Sequence, residues 1–218
     1  MRRMLIHGAI VAPRSVLEAV ADLVRSVPEP VEAMPASQAK AGLLGRLGRR
    51  RADETEPVAN AQPMLEHVPV EQMRFPITGF GNLTTHDVNR LVETLTETAA
   101  GWPAPTVRFA GGTALDFPGD WSVWAKLGGE VDALATIARG VPQCVERLGF
   151  FLDRRQFRPM LSVATVTTAT TGPFLEEVVG ALEAFQGEDW TVEISLTKET
   201  FVNGRPETIE FERIAPGR

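Results

Sequence analysis

A mixed α+β architecture, with helices packed outside antiparallel sheets, is the fold class this sequence predicts. Three observations lead there. The segments run strand, helix, strand, helix, several strands, helix, strand, helix, strands. The helical segments carry apolar residues on one face, at the three- and four-residue spacing of an α-helix. The strand segments are short, and Gly/Pro turns divide them.

Leu5 to Val11 reads as a buried strand ending at Pro13. Ser15-Val16-Leu17-Glu18 has the form of a capping box, in which a hydroxyl and a glutamate three residues on satisfy free helix amides. Val16, Val20, Leu23 and Val27 then share one helical face. From Pro28 to Pro63 the periodicity dissolves into Pro, Ala, Gly and charges, and we read about residues 36–62 as a flexible, arginine-rich insertion. A second strand precedes Gly81, and Thr84-Thr85-His86-Asp87 marks a helix start whose apolar face is Val88, Leu91, Leu95 and Ala99. Val107–Phe109, Thr113–Leu115 and Val123–Leu127 read as separate strands. A helix follows from about Asp132 to Leu148, then a strand from Pro159 to Thr167. Thr171-Gly172-Pro173 opens a helix from Phe174 to Phe185, with proline in its first turn. Trp190–Leu196 and Thr208–Ile214 close the pattern as strands joined through Asn203-Gly204.

The 218 residues suffice for one large domain or two small lobes sharing a core. A lone cysteine, Cys144, excludes an intramolecular disulfide and suits a reducing compartment; its helical context makes it a structural thiol. The basic-then-apolar start is too short for a signal peptide and reads as a strand. No stretch reaches the roughly 18 apolar residues of a membrane span, so a cytoplasmic protein is expected. The net charge is −6, unevenly spread: residues 1–51 hold nine Lys/Arg against four Asp/Glu, leaving 13 basic and 24 acidic residues beyond. So acidic a body disfavours broad nucleic-acid binding, which needs a basic surface to displace counterions. A local basic site for one phosphate stays open. No nucleotide-binding glycine motif, P-loop or Cys/His metal spacing occurs, and no cofactor is expected.

One octet carries more than its composition. Phe157-Arg158-Pro159-Met160-Leu161-Ser162-Val163-Ala164 resembles the second signature of the 2H phosphoesterase superfamily, roughly Phe-Arg-Pro-His-x-Thr-x-Ala. That superfamily includes the LigT-like 2′-5′ RNA ligases and RNA 2′,3′-cyclic phosphodiesterases. The first signature resembles Val68-Pro69-Val70-Glu71-Gln72-Met73-Arg74-Phe75-Pro76-Ile77, followed by Phe80-Gly81-Asn82-Leu83-Thr84. Both motifs are degenerate: Arg74 and Met160 stand where histidines belong, Pro76 and Ser162 where threonines belong. A one-residue shift of the first motif would put Phe75 and Ile77 there, and neither register restores a histidine. Thr106–Phe109, Ala114–Pro118, Ser122–Leu127 and the lead from Leu148 to Arg155 resemble the remaining frame, so the likeness covers nearly all of residues 1–218 except the insertion.

The resemblance implies a single bilobed domain of two pseudo-symmetric lobes around a central cleft, each an antiparallel sheet flanked by helices. It places residues 74 and 160 on facing central strands. The family's histidines exchange protons because imidazole titrates near about pH 6.5. Arginine stays protonated and methionine has no exchangeable proton, so that reaction is not expected here. Arg74, Ser162, Arg158 and His7 become the ligand-binding candidates, and no residue is assigned a catalytic role. Arg74 could instead pair with a local carboxylate while Met160 and Phe75 fill a collapsed cleft. His67 and His86 read as surface or local structural residues. Three functions follow: a catalytically degenerate protein binding a nucleotide, an RNA end or a protein partner; an active phosphodiesterase or 2′-5′ RNA ligase of altered mechanism, using His7; or a scaffold whose partner meets Arg46, Arg49, Arg50 and Arg51.

Overall fold

The computed structural model describes residues 3–30, 62–153, 156–202 and 205–217. Two antiparallel sheets share one core. The first holds β1 (Arg3–Ile10), β3 (Phe75–Thr84), β8 (Ile194–Val202) and β9 (Arg205–Ile214), in the order β3-β1-β8-β9. The second holds β2 (Leu65–His67), β4 (Thr106–Ala114), β5 (Ser122–Gly129), β6 (Met160–Val166) and β7 (Trp190–Thr191), in the order β2-β6-β5-β4-β7. Helices α2 (Thr85–Ala99) and α3 (Val131–Val145) pack on the first sheet; α1 (Arg14–Ser26) and α4 (Gly172–Ala184) pack on the second. The α+β class with two helix-flanked lobes is therefore what the chain adopts.

Alternation builds the core. Ile6 and Ile10 of β1 and Ile194 and Leu196 of β8 are fully buried, while His7 turns to the other face between them. Phe75 of β3 stacks on Phe109 of β4, with ring centroids 6.1 Å apart and planes at 25°. Each buried phenylalanine contributes about 1.5–3 kcal/mol by leaving water, and this pair ties one sheet to the other. The α2 start is as the sequence indicates. Thr84 Oγ1 accepts from Asp87 N at 3.3 Å, and Asp87 Oδ2 accepts from the Thr84 amide at 3.4 Å.

Three expectations need correction. There is no capping box at Ser15–Glu18: α1 begins at Arg14, and the Pro13 carbonyl accepts from the Val16 and Leu17 amides. Pro13, with φ at −52°, caps the helix two residues earlier than a Ser15 cap would; Glu18 takes Arg14 Nε at 2.7 Å instead. The segments 107–109 and 113–115 form one strand, β4, kinked by a bulge between Phe109 and Gly112. A Cβ at Gly112 would lie 2.4 Å from Leu182 Cβ, so the glycine answers to α4 rather than to a turn. Trp190–Leu196 is not one strand either. Trp190–Thr191 joins the second sheet, Val192 N donates to Pro105 O at 3.0 Å, and β8 then begins in the first sheet.

Among the described residues no helix is long and apolar enough to cross a membrane. Nearly all of the arginine-rich insertion, with Arg46, Arg49, Arg50 and Arg51, lies outside the described residues, as does the Asn203-Gly204 turn.

Candidate functional site

Arg74 sits between a 3-10 turn, Val70–Gln72, and the first residue of β3. Its neighbours Met73 and Phe75 are buried at 2% and 0% exposure and anchor the backbone on both sides, which leaves the guanidinium half-buried. There it lines a cavity of about 190 Å³ with His7, Gly8, Ala9, Pro76, Thr78 and Glu199. All seven residues belong to the first lobe. Register explains the grouping. His7 lies opposite Gly79 on one side and Thr197 on the other, and bulges in the β1–β3 ladder flank it. A Cβ at Gly79 would come within 3.4 Å of His7 Nδ1, so the missing side chain makes room for the ring.

The electrostatics are unusual in what is left over. Arg74 has no ion-pair or hydrogen-bond partner among the described residues. Of the carboxylates that line cavities with Arg74, Glu71 meets Arg14 at 3.4 Å and Glu210 meets Arg213 at 2.8 Å, while Glu199 shares the cavity of about 190 Å³ itself. His7 Nε2 is 3.2 Å from Glu199 Oε1, yet this buried nitrogen makes no well-formed hydrogen bond. Thr78, by contrast, donates to the Asp153 carbonyl at 2.8 Å.

The octet from Phe157 to Ala164 leads into and along β6 of the second lobe. Met160 pairs with Lys126 and Ser162 with Trp124 across β5 and β6, so each pair shares a sheet face, and all four side chains are half-buried. Arg158 is exposed, its guanidinium carbon 3.5 Å from the centroid of the Phe117 ring. Phe117 meets Trp124 edge-on at 6.3 Å, and Trp124 Nε1 donates to Asp120 Oδ2 at 2.6 Å. Burial would raise the Asp120 carboxyl, but hydrogen bonds from Trp124, Ser122 and the Asp116 amide outweigh it and hold the group below its ordinary 3.8.

The structure thus brings Arg74, Pro76 and His7 together on one cavity, while Met160 and Ser162 belong to β6 of the other sheet and Arg158 precedes that strand. The expected placement of residues 74 and 160 on facing central strands is corrected. β3 is the outer strand of its sheet and Arg74 precedes it, while Met160 only opens β6. His67 and His86 are exposed. Cys144 is a half-buried helix residue whose thiol meets the Val141 carbonyl at 3.2 Å; burial pushes it up to about 11, far from a nucleophile at neutral pH. Sequence reasoning missed Thr78, Thr197 and Glu199. A signal existed for the last two: Ser195, Thr197 and Glu199 recur every second residue between Ile194 and Thr200, which puts a polar edge on one face of a buried strand.

Solved structures align with this arrangement over its whole length. Escherichia coli LigT, crystallised with 3′-AMP, superposes with a TM-score of 0.63 at 14% identity, covering 100% of both chains. The same protein with phosphate gives 0.60 at 13% identity, again over 100% of both. The fold is LigT-like, that of the 2H phosphoesterases. TT0787 of Thermus thermophilus gives 0.57 at 15% identity over 98% of each chain. No family model and no curated protein matches the sequence. At such identities the LigT-like likeness establishes the fold and leaves the chemistry to this chain's own residues.

Proposed function

We propose that this chain is a phosphate-binding protein on the LigT-like phosphoesterase fold, taking a nucleotide or an RNA end without the superfamily's paired-histidine catalysis. One observation carries the reading: Arg74 stands half-buried at a cavity with no carboxylate partner among the described residues. A desolvated charge is costly unless paired, and a guanidinium is a permanent, planar donor set suited to phosphate oxygens. E. coli LigT, which shares the fold, has been crystallised with phosphate and with 3′-AMP, and this supports an anionic ligand. The cavity of about 190 Å³ is smaller than the roughly 300–1,000 Å³ of whole-ligand pockets. It suits a phosphoryl group, with the rest of the molecule lying outside the cavity.

Neither signature position supplies acid–base chemistry, because Arg74 holds its protons and Met160 has none. A specific observation keeps the active-enzyme reading in play: His7 lines the Arg74 cavity. Calorimetric titration with inorganic phosphate, AMP and a short 3′-phosphorylated RNA tests the proposal. Arg74→Ala should weaken binding by about 1.5–3 kcal/mol, the range of a charge-assisted hydrogen bond. Equal binding by both proteins removes Arg74 from the site. Absence of binding by the unaltered protein favours a partner-binding scaffold.

A further inference from the structure

Three buried side-chain atoms among the described residues lack a hydrogen-bond partner: His7 Nε2, Thr197 Oγ1 and Trp190 Nε1. The first two are not scattered. His7 and Thr197 are direct partners across β1 and β8, so their side chains leave the sheet on one face. Thr197 is only 4% exposed and lines a second cavity, of about 250 Å³, whose wall also includes Arg74. Arg74 is therefore common to the cavity of His7 and the cavity of Thr197.

We infer that Thr197 supplies the hydroxyl of an oxyanion site completed by Arg74 and His7 Nε2, with a phosphate group as ligand. The inference rests on the Arg74 reading above and deepens it. A buried hydroxyl with nothing to bond is expensive and rare in folded proteins. Two other buried hydroxyls nearby are engaged, Ser195 Oγ donating to Glu210 Oε2 at 2.5 Å and Thr78 Oγ1 to the Asp153 carbonyl, while Thr208, which lines the Thr197 cavity, is exposed. A tetrahedral oxyanion offers acceptors in several directions, which one O–H, one ring N–H and a guanidinium fork can share. Glu199 opposes it. Its carboxylate lies 3.2 Å from His7 Nε2 and competes for that nitrogen, although its side chain is 37% exposed and free to turn away.

The test uses the full chain, inorganic phosphate and AMP, with calorimetry for affinity and thermal unfolding for stability. Thr197→Val keeps the shape and removes the orphan hydroxyl, so its melting temperature should match or exceed that of the unaltered protein. Its affinity for both probes should fall about tenfold. Thr197→Ser keeps the hydroxyl and should stay within about threefold of the unaltered protein, while Glu199→Gln should bind about threefold tighter. Thr197→Val binding as well as the unaltered protein, with Arg74→Ala impaired, would overturn this inference and spare the Arg74 reading. Thr197→Ser losing as much as Thr197→Val would also overturn it, since packing rather than the hydroxyl would then be responsible. If the unaltered protein binds neither probe, both readings fall together.

Discussion

In the first lobe, Arg74 lines two small cavities unpaired among the described residues, one with a histidine nitrogen and the other with a threonine hydroxyl that make no hydrogen bond there. In the second lobe, the cation of the signature frame lies on an aromatic ring, and the indole beside Ser162 is tied to Asp120. The two lobes differ in what their polar groups are doing. Polar capacity in the first is unspent and available to a ligand. In the second, much of it stabilises the β4–β5 hairpin. The lobe that keeps unsatisfied polar groups is where binding is to be sought.

The largest effect expected is on catalysis. Each acid or base group typically contributes about 10²–10⁴-fold, so 2′,3′-cyclic nucleotide opening should stay at the uncatalysed background. Turnover that vanishes in His7→Ala would break the comparison by making the first lobe a catalyst. Next comes the joint between the lobes. Phe75→Ala should cost about 3–5 kcal/mol and should shift a single urea transition seen identically by tryptophan fluorescence and circular dichroism. The fluorescence reports mainly on Trp121, Trp124 and Trp190 of the second lobe. Separate transitions would mean that the Phe75–Phe109 stack does not couple the sheets.

A smaller effect separates the two arginines. Arg158→Ala should lower stability by about 0.5–1 kcal/mol, the worth of an exposed cation–π contact, and leave phosphate affinity within about twofold. Weakening as large as that of Arg74→Ala would bring the second lobe into the site. The smallest effect is with pH. The folded Asp120 carboxyl is held below 3.8, so its hydrogen bonds add stability above that value and lose it as the pH falls through the lower folded value. The near-ultraviolet dichroism of Trp124 should change in acid in the unaltered protein. In Asp120→Asn that step should disappear; an unchanged acid response would assign it elsewhere.

Much of this fold is legible because its information is local. Thr84 and Asp87 start a helix through their own hydrogen bonds, and the apolar face Val88, Leu91, Leu95 and Ala99 then buries on the first sheet. What escaped depends on distant neighbours. Gly111-Gly112 reads as a turn, yet Gly112 is there because Leu182 of α4 approaches to a distance no side chain tolerates. The Pro13 correction is a matter of two residues and needs the backbone itself. At the site, Arg74 and His7 could be named from sequence, but not that Arg74 would stand unpaired among the described residues while Glu71 and Glu210 meet Arg14 and Arg213. Thr197 was overlooked because a threonine in a strand is ordinary; only its lack of a partner distinguishes it.

The strand order of the first sheet has a consequence for how the molecule is made. β1 leaves the ribosome long before β8, yet it lies between β3 and β8, and β8 begins only at Ile194. Until then β1 and β3 form at most a two-stranded ribbon, which is marginal in water. The second sheet, whose last strand ends at Thr191, can close first. His7 must therefore wait for Thr197 until every strand of the second sheet has been made, and such long-range pairings form slowly. Nascent chains stalled before Ile194 should hold a folded second sheet beside an open first one, with Arg74 already present and its pocket still without a back wall.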